Sequence, residues 1–274
     1  MVVSIDTPAS LSGDQQPDEN NETMTERVSV LVTGASGGIG YATAMALAQR
    51  GARVCAHFKT NREGANKLLA DMSGSGHITC QCDVTNPDDI QKMIATVAAE
   101  MGGLDVLVNN AGIADVQEID KIDYKAWQQS WNRVMEANLT GPANLSYCAM
   151  KTMLESGGGR IVNVSSRGAF RGEPSMPWYG AAKAGMNAMG QSMAQALAPK
   201  NIFIYTIAPG FVETEMAQEI LASEKGDEIR NQSSMGRVAQ PEEVAQTIAF
   251  LALDAPDFMT GCIVDINGAS YLRS

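Results

Sequence analysis

From Val28 onward the chain alternates short apolar runs, rich in β-branched residues, with longer stretches whose apolar positions recur at helical spacing. The short runs predict strands over 29–33, 53–58, 77–82, 106–109, 160–165, 203–208 and 263–266. Helix-like stretches separate them, over 40–50, 62–72, 87–101, 124–139, 141–155, 178–198 and 242–253. Strict alternation of strand and helix argues an α/β fold, a parallel sheet with helices on both faces. The strand runs are almost continuously apolar, as a sheet covered on both sides requires. The longest interruption, 210–240, is polar and is expected to be a mobile segment placed where a lid could sit.

Composition adds boundaries to this picture. Residues 26–274 form one expected domain, since large α/β folds reach this length undivided. Residues 1–25 hold five acidic residues and no Lys or Arg, and are expected to be a disordered acidic extension, with Met24 as a candidate alternative start. The formal net charge is −11, of which about −6 remains on the body. That balance disfavours nucleic acid as a partner and, less strongly, an acidic carrier protein. No run approaches the roughly 18 apolar residues of a membrane span, and no secretion signal opens the chain, so a cytoplasmic location is expected. The five cysteines, Cys55, Cys80, Cys82, Cys148 and Cys262, read as small apolar residues in a reducing compartment. Cys80 and Cys82 are expected to share one face of a strand. With only His57 and His77 available, no metal site is expected.

Two stretches carry chemistry. The first strand runs into Thr33-Gly34-Ala35-Ser36-Gly37-Gly38-Ile39-Gly40 and then into a helix. Glycines there allow a tight turn and close approach of backbone N–H groups, and a helix N-terminus favours negative charge, so the loop is read as a dinucleotide pyrophosphate cradle. Tyr179 and Lys183 stand four residues apart on a helix and share a face, with Ser166 thirteen residues before the tyrosine. A cation beside the phenol is expected to pull its pKa from about 10 toward neutrality, which suits proton exchange with a substrate oxygen. A Ser–Lys hydrolase is the other use of Ser166 and Lys183, but it leaves the glycine loop and the tyrosine unexplained.

From Val28 to the C-terminus the chain resembles the short-chain dehydrogenase/reductase family, and within it the 3-oxoacyl carrier-protein reductases and related ketoreductases. The motifs match in order: 33–40; Asp83-Val84 after the third strand; Asn109-Asn110-Ala111-Gly112 after the fourth; Ser166 with Tyr179 and Lys183; and Pro209-Gly210-Phe211-Val212-Glu213-Thr214 after the sixth. Asn138 matches the asparagine usually counted as the fourth catalytic residue. The resemblance implies a Rossmann-type, doubly wound sheet of about seven strands. It implies Tyr179 as general acid in reduction, Lys183 as holder of the nicotinamide ribose, Ser166 as hydrogen-bond partner of the substrate oxygen, and Asn138 as holder of a relay water. A backbone-satisfying role at a helix distortion is the alternative for Asn138, and a simple turn cap is the alternative for Asp83. Asn110 is read as both tying strands and touching the cofactor, and Ser165 as structural. Gly34, Ser36, Gly37, Gly38, Ile39, Gly40, Asp83, Val84, Asn110, Ala111, Gly112, Pro209, Gly210, Val212 and Thr214 would line the dinucleotide.

The cofactor reading turns on the end of the second strand, His57-Phe58-Lys59-Thr60-Asn61-Arg62. Phe58 occupies the place of the acid that bonds an NAD ribose, and Lys59 and Arg62 suit a 2'-phosphate. NADP(H) is therefore expected, with NAD(H) possible; Gly37 stands where many NADP-binding relatives have a basic residue. The expected reaction is reduction of a ketone or 3-oxoacyl group; the alternatives are an NAD-dependent alcohol, sugar or sterol dehydrogenase and a non-catalytic nucleotide-sensing protein. Gly157-Gly158-Gly159 before Arg160 lowers the expectation of a carrier-protein substrate. The resemblance also implies a homotetramer or dimer, with helices 141–155 and 178–198 at one interface. Met176, Met186, Met189 and Met193 are left open between core and interface.

Overall fold

A computed structural model describes residues 27–273, so the 1–25 extension lies outside the described residues. Seven parallel strands form one sheet in the order β3-β2-β1-β4-β5-β6-β7. The strands are β1 (Ser29–Val32), β2 (Arg53–Phe58), β3 (Ile78–Gln81), β4 (Val106–Asn109), β5 (Gly159–Val164), β6 (Ile202–Pro209) and β7 (Ile263–Ile266). The helices are α1 (Gly38–Gln49), α2 (Arg62–Asp71), α3 (Pro87–Met101), α4 (Tyr124–Met135), α5 (Gly141–Glu155), α6 (Gly168–Arg171), α7 (Pro177–Leu197), α8 (Glu215–Ala222), α9 (Gly226–Asn231) and α10 (Pro241–Leu253). This is the doubly wound α/β sheet that the alternation predicts.

Side-chain alternation along each strand builds two cores. Val30 and Val32 of β1 and Val106 and Val108 of β4 point to one face, under α1, α2 and α10. Leu31 and Leu107 point to the other, under α3, α5 and the far end of α7. Cys80 and Cys82 both face this second core, as expected, although β3 itself ends at Gln81. A third, smaller cluster gathers Trp127, Trp131 and Trp178 where α4 meets α7. Met186 is fully buried and Met176 and Met193 pack against core clusters, which places three of the four open methionines in or against the core.

Strand order reverses between β1 and β4, and the crevice at their carboxyl ends is where a sheet of this kind binds ligands. The glycine loop, Asp83-Val84, 109–112, Ser166 and 209–214 lie at that edge, and Tyr179 and Lys183 on α7.

Two elements differ from the sequence reading. The stretch 124–139 is not one regular helix: after α4 the chain takes a widened π turn, Glu136–Thr140, in which the Gly141 amide bonds back to the Glu136 carbonyl. Pro142 explains it, because proline has no N–H to offer the Asn138 carbonyl four residues back. The interruption 210–240 is also better ordered than its polarity suggested. It carries α8 and α9, closed at its base by a bridge between Val212 and Ala239, with Leu221, Ile229 and Val238 forming a small core of their own.

Candidate active site

The glycine loop is shaped by contacts that leave one side open. Gly34 (φ +65°) and Gly38 (φ +54°) adopt left-handed backbone that side chains resist. A Cβ on Gly40 would lie 2.2 Å from the Gly34 carbonyl, so only glycine lets α1 start this close to the turn. A Cβ on Gly37 would meet nothing within 4 Å, so this edge of the loop faces outward. No side chain caps α1 and no acid occupies its first turn, leaving the positive end of the helix uncompensated. Ile39 packs inward against the core, and the Ser36 carbonyl accepts from Asn61 Nδ2 at 3.3 Å.

Other predicted segments converge on this loop. Asn110 Nδ2 donates to the Thr33 carbonyl at 2.8 Å and to the Gly34 carbonyl at 3.2 Å, tying β4 to β1. Ala111 abuts Gly34, and Gly112 leaves room beside Asn138 Oδ1 and Lys183 Nζ. From the far side, Thr214 lies against Gly38, brought there by Pro209-Gly210 and the Val212 bridge; the Gly210 amide donates to the Ile266 carbonyl at 2.9 Å.

At the ends of β2 and β3, Phe58 is buried and its ring lies 5.1 Å from the Arg62 guanidinium. Lys59 pairs with Asp83 at 2.8 Å, so the two predicted cofactor residues meet each other. Asp83 also accepts from the Thr85 amide and hydroxyl, which makes it the turn cap foreseen as its alternative role. Burial works to raise its pKa, but the bonds from Lys59 and Thr85 outweigh that and hold it low. Val84 is buried, its carbonyl pressed against the start of α5 at Gly141.

The four predicted catalytic residues are brought together. Lys183 is 4% exposed, donates to the Val164 carbonyl at 2.8 Å, and lies 5.8 Å from the centre of the Tyr179 ring. The Ser166 hydroxyl is near enough to Tyr179 to favour its phenolate, and its Oγ accepts the Gly168 amide at 3.0 Å. Ser165 is buried and donates to the Lys183 carbonyl, the structural role expected of it. Asn138 is fully buried, and its amide is matched at both ends by the backbone of Ile113, at 2.8 Å each way. Its side chain thus does the backbone-satisfying work considered as the alternative, at the π turn.

One electrostatic expectation is corrected. Lys183 does not pull Tyr179 toward neutrality. Burial raises the tyrosine pKa, the Ser166 bond works against that, and the nearby Glu173 carboxylate adds to the rise. Desolvation instead acts on the lysine, pulling its pKa down to about 8.

Sequence reasoning passed over three contributors. His57 is buried between β1 and β3; its Nδ1 accepts the Gly34 amide at 3.0 Å, so Nε2 carries the proton and donates to the Cys82 carbonyl at 3.0 Å. Burial holds it below the usual histidine range, in the neutral form this arrangement needs. Thr33 Oγ1 accepts the Asn110 and Ala111 amides. Glu173 approaches Tyr179 from the segment after α6. A histidine near the end of a strand beside a glycine loop was the only signal available for the first; Thr33 was read only as the opening residue of the glycine-loop motif, and nothing marked Glu173.

This geometry matches known proteins. Residues 34–269 match the family described as enoyl-(acyl carrier protein) reductase. The chain is 37% identical over 242 residues to a 3-oxoacyl-(acyl-carrier-protein) reductase of Vibrio cholerae, covering 88% of this chain and 96% of the relative. It is 40% identical over 250 residues to a cis-4-hydroxycyclohexanecarboxylate dehydrogenase of Sinomonas cyclohexanicum, covering 90% and 97%. It is 36% identical over 241 residues to an acetoacetyl-CoA reductase of Shinella zoogloeoides, covering 88% and 97%. The chain belongs to the short-chain dehydrogenase/reductase family. It is therefore an oxidoreductase acting on CH–OH groups with a nicotinamide cofactor. The residues fit such a group: the α1 terminus is uncapped, Gly37 faces open space, and Lys183 is a buried cation with no carboxylate partner among the described residues. No helix among the described residues is long and apolar enough to cross a membrane.

The Lys183 shift has a measurable sign. Its folded pKa of about 8 lies below the ordinary 10.5, so between these values the unfolded chain holds a proton that the folded one has lost. Stability contributed by this group therefore rises with pH through that window and is constant below it. Denaturant unfolding should show wild type gaining about 3 kcal/mol relative to Lys183→Met between pH 8 and 10.5. A difference that stays flat across the window contradicts the assignment.

Proposed function

We propose that this protein reduces a ketone or 3-oxoacyl group to a secondary alcohol with NADPH, Tyr179 giving the proton. The supporting observation is the Ser166–Tyr179–Lys183 cluster at the carboxyl edge of the sheet, facing the glycine loop across the crevice. The names of the carrier-protein and acetoacetyl-CoA reductases among the relatives support 3-oxoacyl chemistry.

The nicotinamide supplies the hydride when bound. The α1 N-terminus and the amides of 36–40 hold the pyrophosphate, with Gly37 and Gly38 at the open edge and Gly34 and Gly40 shaping the turn. Asp83, Val84, Asn110, Ala111, Gly112, Pro209, Gly210, Val212 and Thr214 would line the bound dinucleotide, with Asp83 toward its adenine. Ser166 donates to the substrate carbonyl and sets it beside Tyr179. With its pKa raised, Tyr179 carries its proton at neutral pH, and giving that proton up requires a nearby positive charge to favour the phenolate. Lys183 holds the ribose hydroxyls and returns protons toward the tyrosine. The Asn138 side chain is occupied by Ile113, so its part in the relay falls to its main-chain carbonyl, which Pro142 cannot bond.

Lys59 and Arg62 provide the charge for a 2'-phosphate, Lys59 turning from or bridging with Asp83 to meet it. Against a carrier-protein thioester, Arg160 near the start of β5 is paired with Asp257 at 3.2 Å and lies 5.9 Å from the Tyr205 ring centre, so it is engaged within the chain. The second reading is oxidation of a secondary alcohol, favoured by the hydroxy-acid dehydrogenase among the relatives. Assembly through α5 and α7 into a tetramer or dimer fits the exposure of Tyr147 and Leu154 on α5. The cytoplasm is the proposed location.

Two substitutions test this reading. Tyr179→Phe should bind NADPH normally, by fluorescence titration, while turnover of ketones falls about 10²- to 10⁴-fold; retained turnover refutes the proton-donor role. Lys59→Asp should move the ratio of kcat/KM for NADPH over NADH toward NADH by about tenfold or more, since an acid there repels a phosphate and bonds a ribose. An unchanged ratio removes Lys59 from cofactor selection.

A further inference from the structure

Two arginines between Ser166 and Tyr179 take no part in the chemistry above. Arg167 is 3% exposed, a setting in which a guanidinium is normally paired. Among the described residues no carboxylate lies within ion-pair distance of Arg167 or Arg171. Both donate instead to one neutral atom, Gln232 Oε1, Arg167 through Nη2 and Arg171 through Nη1 at 3.2 Å. Two like charges brought onto one uncharged oxygen repel each other, and burial adds to the cost. The Arg167 pKa is lowered accordingly, by burial first and Arg171 next, with Glu173 acting the other way.

The surroundings are built for a guest. The Phe211 ring lies 5.2 Å from the Arg167 guanidinium. Arg167 borders a cavity of about 450 Å³ that also meets Ser270, whose buried hydroxyl has no partner among the described residues. The other cations on that wall are already neutralised, Arg237 by Glu243 and Arg273 by Asp265, at 2.7 Å each. On that wall Arg167 alone has no carboxylate partner among the described residues, while Arg171 opens onto the neighbouring cleft beside Glu173 and Gly180.

We infer that the Arg167–Arg171 pair is a carboxylate subsite, and that the substrate carries a carboxylate held there while its carbonyl lies at Ser166 and Tyr179. The Gln232 amide presents a planar sp² oxygen to both guanidiniums; a carboxylate presents the same oxygen with the missing charge. The subsite adjoins the chemistry: the Ser166 Oγ accepts the Gly168 amide at 3.0 Å at the start of α6, the short helix that ends at Arg171. Gln232 directly follows α9, so the lid segment supplies the neutral oxygen that stands in this place. The inference rests on the carbonyl-reductase reading and narrows its substrates to small keto acids.

Binding tests it without turnover. Calorimetry with the full chain and NADP+ compares 4-oxocyclohexanecarboxylate with its uncharged methyl ester. The acid should bind at least about tenfold more tightly than the ester, as charge-assisted hydrogen bonds imply. That preference should vanish in Arg171→Gln, an exposed position, and in Gln232→Glu, which fixes an internal carboxylate between the arginines. Gln232→Glu should also raise Tm, so loss of the preference there is not loss of the fold. Equal affinity of acid and ester in wild type, no binding of either, or a preference that survives in both variants overturns the subsite. Absence of turnover with every ketone would instead refute the reductase reading and leave this comparison standing.

Discussion

The Lys183 ammonium is almost fully buried with only a backbone carbonyl, that of Val164, as its hydrogen-bond partner among the described residues, and much of the site follows from how that charge is held. A buried cation without a counter-ion is costly, and its lowered pKa is the measure of that cost. The surrounding chain keeps it there. Ser165 accepts the task of fixing the lysine's own carbonyl, Asn138 locks Ile113 beside it, and Gly112 leaves the space through which Nζ can be reached. Such a charge suits neutral, polarisable oxygen ligands such as ribose hydroxyls, and the family relationship supplies a ligand that has them.

The phenol and the ammonium are a pair in position before they are a pair in electrostatics. The tyrosine is held protonated by burial and by Glu173, with Ser166 pulling the other way. Proton exchange then requires something further to favour the phenolate, and a cationic nicotinamide is of the right sign. On this account the cradle and the catalytic cluster are coupled through charge across the crevice at the strand-order reversal. Gly34, His57, Thr33 and Asn110 set one wall of that crevice by backbone hydrogen bonds, and α7 sets the other.

The order of strands and helices was legible because the apolar runs of β1, β4, β5 and β6 are buried on both faces and carry few polar residues, Asn163 and Thr206 being buried exceptions. The glycine loop and the tyrosine–lysine spacing were legible for the same kind of reason: local backbone geometry confines them to particular residues at fixed intervals. The π turn was hidden in 124–139 because its cause is an absent N–H on Pro142, which disturbs no hydrophobic pattern. Helices α8 and α9 were hidden because few apolar residues are needed for so small a core. Arg167, Glu173 and Gln232 come together only through tertiary packing, and the tyrosine's raised pKa depends on burial that spacing does not report. Lys59 and Asp83 were both read as facing a ligand; their pairing joins the ends of two strands whose proximity only the sheet reveals.

The central claim is that Lys183 alone leaves the Tyr179 phenol protonated and that oxidised cofactor lowers its pKa. Ultraviolet difference titration of wild type against Tyr179→Phe, with and without NADP+, measures this directly. The account predicts a Tyr179 pKa above the ordinary 10.0 in the free protein, falling by about one unit or more when NADP+ is bound. A phenol that titrates below 10.0 in the free protein, or whose pKa is the same in both states, contradicts it.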